Sequence, residues 1–277
     1  MRTALTVAVL TASLAPARAA EPRATVGQEV LLGGRVAPLG LTLESETTLR
    51  WRFGPDGDLL FEDNHVEVGA LVGVTPVEGL AGAVVELQPA AFLVLRARAL
   101  ALGWFGTFGT LATFEGLDAD WSPDRLAALE DADQGSAAGG WQIDVQAQLR
   151  LAIEGFIALA GFRPTWIHAD VDGPYYEPYN DVLLAPDDLL LIGNALAGWR
   201  FDNGSALALR WDGLVGDAAG QPRHTLGALV HWVAVLADGA APEVAVDALV
   251  GLYAEDRYRA GEPFAALGLT LAWRLAR

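Results

Sequence analysis

The chain has 277 residues, 52% of them hydrophobic, yet it carries a formal net charge of −17 and contains no cysteine. This acidic balance disfavours nucleic acid, whose phosphates attract basic surfaces, so we expect no nucleic-acid partner. Beyond the N-terminal region there is no run of ~18 apolar residues, which argues against a membrane-spanning helix. The apolar residues are dispersed instead, many of them on alternate positions.

Residues 1–20 have the pattern of a secretory signal peptide. Arg2 precedes a short apolar stretch, and Ala17, Arg18 and Ala19 then give a small-x-small sequence. A basic start, an apolar core and such a cleavage site are the three parts of an export signal. We therefore predict a signal peptide over residues 1–20 and one mature domain over residues 21–277.

From Thr25 onward the sequence divides into about twelve strand-like segments separated by turn signals. In the fifth segment the apolar phase changes, because Leu95 and Leu100 would face opposite sides, and this predicts a β-bulge near Arg98. The segments span roughly residues 26–37, 39–53, 59–74, 80–88, 91–105, 141–154, 156–168, 188–201, 205–215, 224–237, 243–254 and 264–276.

The sixth segment, 141–154, shows the clearest alternation. Its odd positions from Trp141 to Ile153 are apolar, and its even positions are polar except Ala152. Successive side chains of a strand point to opposite faces. At about 14 residues the segment is longer than the ~5–6 of an ordinary strand, and a tilted strand crosses a bilayer in roughly 9–11 residues. The segment therefore predicts one lipid-facing and one lumen-facing side.

The last segment repeats this pattern, with apolar residues on odd positions from Leu267 to Leu275. A long amphipathic C-terminal strand resembles that of bacterial outer-membrane β-barrels, in which it is the assembly signal; here it ends in Arg277 rather than in an aromatic residue. The resemblance is to such barrels in general. It implies a Gram-negative outer-membrane location, contact with outer-membrane lipid and lipopolysaccharide, and recognition by the barrel-assembly machinery.

Topology and tryptophan placement agree with this resemblance. With a periplasmic C-terminus, the short turns fall on the periplasmic side, and two long acidic segments, 106–140 and 169–187, fall outside. Residues 122–132 within the first acidic segment predict a short helix. We predict an all-β, antiparallel transmembrane barrel of about twelve strands with short periplasmic turns and long acidic external loops. Interface positions hold Trp141, Trp166, Trp51, Trp199 and Trp273, whereas Trp211 and Trp232 fall mid-strand.

The inward face of this barrel predicts a lumen lined by charges of both signs, which more often form a supporting network than a catalytic site. About twelve strands leave a modest lumen, so the sequence is as consistent with a narrow or plugged pore as with an open one, and part of 106–140 could fold inward as the plug. The predicted lumen-lining residues are Gln142, Asp144, Gln146, Gln148, Arg150, Arg210, Asp212 and Arg274.

Chemical motifs are sparse, and none implies a cofactor. His168 and Asp170, two residues apart, are the best candidates for acid–base catalysis, although a polar rim is the simpler interpretation. Asp118, Asp120, Asp170 and Asp172 could bind Ca²⁺ or Mg²⁺ or could be solvated surface. The leading hypothesis is a structural barrel or a narrow pore for small solutes. The alternatives are a barrel hydrolase acting on lipid or peptide at the outer leaflet and a soluble secreted β-sandwich.

Overall fold

The protein is described by a computed structural model that covers residues 24–36, 40–53, 61, 64–107, 111–132, 134–235 and 243–276. The predicted signal peptide lies outside these residues. The elements are β1 (Ala24–Val36), β2 (Gly40–Arg52), β3 (His65–Val74), β4 (Glu78–Ala90), β5 (Leu93–Phe105), α1 (Pro123–Asp131), β6 (Ala137–Ile153), β7 (Phe156–Ala169), β8 (Tyr175–Glu177), β9 (Val182–Leu184), β10 (Asp187–Arg200), β11 (Ala206–Gly216), β12 (Pro222–Val235), β13 (Glu243–Glu255) and β14 (Pro263–Ala276).

Twelve of these strands form one closed antiparallel barrel, and β8 and β9 form a separate two-stranded hairpin. The barrel closes where β1 pairs with β14, from Thr25 opposite Ala276 to Val36 opposite Ala265. Closure removes the unpaired sheet edges that an open sheet would expose. The prediction of an all-β antiparallel barrel of about twelve strands is confirmed. The β-sandwich alternative is wrong, because a single sheet joins its own two edges.

The barrel wall has an apolar outer face and a mostly polar inner face along β6. Val145 is 45% exposed, whereas its neighbour Asp144 is 1% exposed and Gln148 is 3% exposed. The same contrast recurs around the wall, where Leu209, Val250 and many other large apolar side chains are exposed. Alternation in the sequence therefore corresponds to outward and inward sides of a closed sheet.

The two ends of the barrel differ. At the terminal end β1 begins and β14 ends; at the opposite end, here called the loop end, lie the two longest connections, 106–136 and 170–186. The predicted short helix is confirmed as α1, in the first of these connections. None of the helices among the described residues is long and apolar enough to span a membrane.

The β-bulge predicted near Arg98 is wrong. β5 pairs with β6 without interruption from Leu93 to Phe105, and the irregularity lies instead between Leu87 and Ala90, against β5. Even-numbered residues of β5 face inward throughout, including Trp104, which is 2% exposed. The apolar phase only appeared to change because the loop-end part of the lumen is apolar rather than polar.

Two tryptophans occupy positions that the sequence did not explain. Trp232 is outward and 49% exposed. The residue before it, His231, pairs with Ala206, the first residue of β11. Trp232 therefore lies near the terminal end of the barrel and not in mid-strand. Trp211 is mid-strand, but its ring covers two outward glycines: a Cβ at Gly213 would lie 2.6 Å from it, and one at Gly193 3.3 Å. It thereby covers backbone that would otherwise be bare on the outer surface.

Candidate functional site

The inward faces of the barrel strands enclose a lumen, and the inward face of β6 supplies part of its lining. Asp144 lies 3.0 Å from Arg98 Nε on β5 and accepts a hydrogen bond from Gln142 Nε2 at 2.9 Å. Arg150 donates to Gln148 at 2.6 Å. Gln146 also lies on this inward face, opposite Arg96. The predicted lumen residues of β6 therefore share one inward face, where Gln142 and Asp144 belong to one hydrogen-bonded group and Gln148 and Arg150 to another.

The remaining predicted lumen residues divide into two cases. Arg210 and Asp212 form a bidentate pair on β11, with Nη2 of the arginine 2.7 Å from the carboxylate. The backbone of Arg274 belongs to β14, but its side chain lies outside the described residues. Pairing of this kind is what allows charges to be tolerated inside a barrel.

A second group of paired charges covers the inner wall of β2 to β5 near the terminal end. Arg50 pairs with Glu67, and Arg96 pairs with Glu46 and with Glu86. His65 Nε2 lies 3.3 Å from Glu86 and 3.6 Å from Glu67. Among the described residues, His65, Glu67 and Glu86 form the group whose spacing could hold a metal ion. Both glutamates are already neutralised by arginines, so the group is explained as an ion-pair network.

The loop-end half of the lumen is filled by the hairpin β8–β9, here called the plug hairpin. Tyr175 and Leu184 are 0% exposed and pack with Trp104, Leu111 and Leu190 of the surrounding wall and loops. The ring of Tyr175 meets that of Trp104 edge-on, with centroids 6.1 Å apart. The plug was predicted from 106–140, but the main inserted element comes from the second long connection, and residue 111 only adds to it.

The first long connection covers the plug hairpin from the loop end. Its backbone joins the hairpin through Thr113 opposite Tyr175 and through the amide of Tyr176, which donates to Ala112 O at 3.3 Å. Trp121 packs on Tyr176, and the two helix residues Leu126 and Leu129 complete this apolar layer. The plug is therefore a two-layer structure, a hairpin inside and a helix-bearing cover outside.

The tip of the plug hairpin is held by a buried ion cluster around Asp181. Its carboxylate lies 3.1 Å from Arg259 Nε and 3.7 Å from Arg223 Nη1, and it accepts a hydrogen bond from Tyr176 Oη at 2.6 Å. Burial alone would raise the pKa of Asp181, but Arg223, Arg259 and Arg35 together lower it. The two contacting arginines come from β12 and from the 256–262 connection, so the cluster ties the tip to the barrel.

Glu177 shapes the turn of the plug hairpin from inside. Its carboxylate accepts hydrogen bonds from the amide of Tyr179 at 2.8 Å and from the amide and side chain of Asn180 at 2.6 and 2.8 Å. Burial raises the pKa of Glu177 to about 7, against the effect of these three donors. The hairpin therefore carries a group that titrates near neutral pH.

The predicted catalytic pair lies at the loop-end rim, on the outer face of the barrel. His168 Nε2 is 3.0 Å from Asp170, its Nδ1 is 2.7 Å from Asp187, and its ring stacks on Trp141 at 5.8 Å. Both ring nitrogens thus face carboxylates, and an imidazole that donates to both must carry both protons. Neither nitrogen is left to accept a proton from a substrate.

The predicted divalent-ion residues are not brought together. Asp118, Asp120, Asp170 and Asp172 are all exposed. Asp120 accepts the amide of Ser122 at 2.9 Å, which lowers its pKa, and Asp170 faces His168. Within the described part of the chain, none of the four belongs to a group with metal-ligand spacing.

A cavity remains in the terminal half of the lumen, between β7, β10, β11, β12 and β13; we call it the lumen cavity. In its wall, His231 Nδ1 lies 2.7 Å from Asp247 Oδ1, and the two residues are 6% and 2% exposed. The sequence did not identify this pair, because a hairpin centred on the turn signal at 238–239 would set His231 opposite residue 246, one residue away from its observed partner Asp247. The cavity is lined by Ala152, Ile157, Leu159, Asn194, Leu196, Arg200, Gly204, Ala206, Ala208, Arg210, Leu229, His231 and Asp247.

Comparison with known proteins gives no family. No protein-family model matches the chain, and no curated protein matches it. Solved outer-membrane barrels are similar to it at low identity. The β domain of the Bordetella autotransporter BrkA has 11% identity and a TM-score of 0.49, covering 91% of this chain and 99% of that one. The KdgM porin has 7% identity and a TM-score of 0.42, covering 89% and 98%. The transport unit of the autotransporter AIDA-I from Escherichia coli has 9% identity and a TM-score of 0.45, covering 98% and 94%. The barrel assignment itself rests on the strand pairing described above.

Proposed function

We propose that this chain is an integral outer-membrane β-barrel that forms a narrow pore for small solutes and is held closed by the plug hairpin. The observation that carries the proposal is the burial of Tyr175 and Leu184 against the inner wall, which blocks the lumen from the loop end. In a purely structural barrel, side chains of the wall could fill the lumen directly. A separate inserted hairpin, by contrast, can leave the lumen without unfolding the wall.

The membrane placement is supported by the outer face. Exposed Val145, Leu209 and Val250 belong to an apolar band that surrounds the barrel, and soluble monomers rarely expose apolar patches larger than a few hundred Å². The barrel strands have 10 to 17 residues, and roughly 9–11 suffice to cross the hydrocarbon core. Outward Trp141 and Trp199 lie near opposite ends, as interface tryptophans do.

The orientation and partners follow as part of the same proposal. The loop end faces outside, where the longer connections of such barrels lie, and the terminal end faces the periplasm. The loop-end rim, with Trp141 and His168, would then contact lipopolysaccharide and outer-leaflet lipid. The barrel-assembly machinery would recognise β14, which closes the barrel against β1.

Planar-bilayer recording tests the pore. The wild-type barrel should be closed for most of the time, and a variant whose residues 174–185 are replaced by a short Gly-Ser linker should show single-channel steps. A control variant with the same linker chemistry at 218–220, in another loop-end turn, should behave like wild type. Heat-modifiable migration on gels checks that each variant is folded. Equal conductance of all three proteins would refute the proposal.

The second candidate is a barrel hydrolase at the outer leaflet. The favouring observation is the 3.0 Å contact between His168 and Asp170 at the loop-end rim. Because Asp187 occupies the other ring nitrogen, general-base action would first require one carboxylate to move away. Turnover of lipid A, phospholipid or peptide that is lost in His168→Ala would favour this candidate over the pore, and absence of turnover in wild type would end it.

A further inference from the structure

Three arginines of the barrel wall converge on one carboxylate of the plug hairpin. Arg259 Nε lies 3.1 Å and Arg223 Nη1 lies 3.7 Å from Asp181 Oδ2, and Arg35 acts on the same carboxylate electrostatically. The three arginines are 6% to 8% exposed. They belong to the 256–262 connection, β12 and β1, whereas Asp181 belongs to the turn of the hairpin. The cations are therefore fixed to the wall, and the carboxylate between them sits on the element that the proposed pore must release.

The arginines lie on one continuous part of the wall. In the barrel order, β1 is followed by β14, β13 and β12, and the 256–262 connection joins β13 to β14. This connection is braced from within, because Asp256 Oδ1 accepts hydrogen bonds from the amides of Tyr258 and Arg259, both at 2.8 Å. The backbone of Arg259 is thus held by the wall side and not by the hairpin.

Release of the hairpin leaves an excess of positive charge at this position. Asp181 leaves together with Glu177, which also acts on Arg223. Two wall carboxylates remain nearby. Asp256 is engaged by the two amides of its own connection, and Glu262, 3.6 Å from Arg259 Nη1, has a side chain that is 49% exposed, so this ion pair is weak. The place that Asp181 vacates therefore attracts an anion.

The contacts of Asp181 indicate which anion fits. Arginine presents a planar array of N–H donors that matches a carboxylate, and hydrogen bonds between two charged groups are the strong ones. A free carboxylate can meet Arg259 Nε and Arg223 Nη1 as Asp181 does. The hydrogen bond from Tyr176 Oη to Asp181 is lost with the hairpin, so the two arginines carry the recognition.

We propose that Arg223 and Arg259, supported by the charge of Arg35, form a binding site for small carboxylate anions in the open pore, and that Asp181 occupies this site as a tethered ligand in the closed pore. The inference rests on the proposed function, because the site is vacated only when the hairpin leaves. The tether gives Asp181 a high effective concentration. A free carboxylate that binds only the released state opposes it: at ten times its Kd, the release equilibrium shifts about elevenfold.

A ligand-observed NMR titration with acetate tests the site in detergent. The variant whose residues 174–185 are replaced by the Gly-Ser linker should bind acetate, and wild type should bind at least tenfold more weakly because Asp181 competes. In the linker variant, Arg223→Gln and Arg259→Gln should each weaken binding roughly tenfold or more, as expected for a charge-assisted hydrogen bond. The matched control Arg125→Gln removes the same charge from the exposed face of α1 and should leave the affinity unchanged.

A second measurement uses the full-length chain and does not depend on folding of the linker variant. Asp181→Ala keeps the hairpin but removes its carboxylate, and formate has the size of the missing group. At an ionic strength matched with chloride, formate should slow proteolysis of the 170–186 connection in Asp181→Ala and have no effect when Arg259→Gln is added. In wild type, acetate should instead speed this cleavage severalfold over chloride.

The inference is overturned if a folded linker variant binds no acetate, or if Arg259→Gln and Arg125→Gln bind it equally. Absence of formate protection in Asp181→Ala would also overturn it. Methylammonium binding as tightly as acetate would contradict the assigned charge, and phosphate binding more tightly would contradict the carboxylate class. Binding in detergent requires no conduction. Channel steps without acetate binding therefore refute this site alone, whereas acetate binding with equal conductance of wild type and the linker variant refutes the gated pore.

Discussion

The substitution Asp181→Asn should release the plug hairpin. Asp181 is 1% exposed and sits between Arg223 and Arg259, which are 8% and 6% exposed. Removing one partner from a buried ion cluster typically costs about 3–5 kcal/mol, because charges remain buried without compensation. At ~3 kcal/mol the equilibrium between inserted and released hairpin shifts by roughly a hundredfold. The barrel wall should be retained, because its strand pairing does not involve this residue.

Two assays report the release. Limited proteolysis of the variant in lipid vesicles should cut the 170–186 connection much faster than in wild type, and bilayer recording should show more frequent openings. Asp172→Asn is the matched control, since Asp172 is exposed in the same connection and pairs with neither arginine. The reasoning is refuted if Asp181→Asn is cut no faster than Asp172→Asn, provided that both migrate as folded barrels.

Three further predictions concern the plug and the wall. The pKa of Glu177 is raised to about 7 in the inserted hairpin, against an ordinary value of 4.5. Protonation of Glu177 therefore stabilises the inserted hairpin fully below about pH 4.5, and this stabilisation is lost as the pH rises to 7. Openings should become more frequent between about pH 4.5 and 7 and change little above pH 7, and Glu177→Gln should flatten this dependence. Val145→Lys places a charge on the outer face in mid-strand and should cost about 2–4 kcal/mol of folding free energy in lipid vesicles. Ala137→Lys, on the same face at the rim, should cost about 1 kcal/mol or less. Equal costs for the two variants would argue against a membrane span. Asp144→Asn leaves Arg98 buried without its carboxylate and should lower the free energy of unfolding by roughly 3 kcal/mol in urea titrations, a loss that Gln146→Asn should not share.

The wall was predictable because it obeys one simple rule. Along β6 every second residue is apolar, and a strand that separates lipid from a polar lumen must show that pattern. Because consecutive barrel strands are joined as hairpins, each strand pairs with the one before it and the one after it. The strand order and the pairing of the first strand with the last then follow from the number of strands. The rule failed only where its assumption failed: Leu100, Leu102 and Trp104 of β5 face inward because the loop-end lumen is apolar.

The plug was not predictable from local patterns. β8 and β9 have three residues each and are buried on both faces, so they show no alternation that could be read. Asp181 and Glu177 looked like two more charges in an acidic surface loop. The burial of Asp181 depends on Arg223 and Arg259, which are separated from it by 42 and 78 positions in the chain and meet it only after the barrel closes. The carboxylate of Glu177 is satisfied inside the hairpin turn itself. The acidic residues of the 170–186 connection therefore did not show whether this connection is exposed or buried.

The central claim, a membrane barrel closed by an inserted hairpin, is tested most directly by labelling a single cysteine in the hairpin. The chain contains no cysteine, so Val182→Cys and Asp172→Cys each create one site in the same long connection, the first 5% exposed and the second on the surface. In native outer membranes a membrane-impermeant maleimide should label Asp172→Cys rapidly and leave Val182→Cys protected until the barrel is denatured. Equal labelling of both positions in the folded barrel would contradict the plugged lumen.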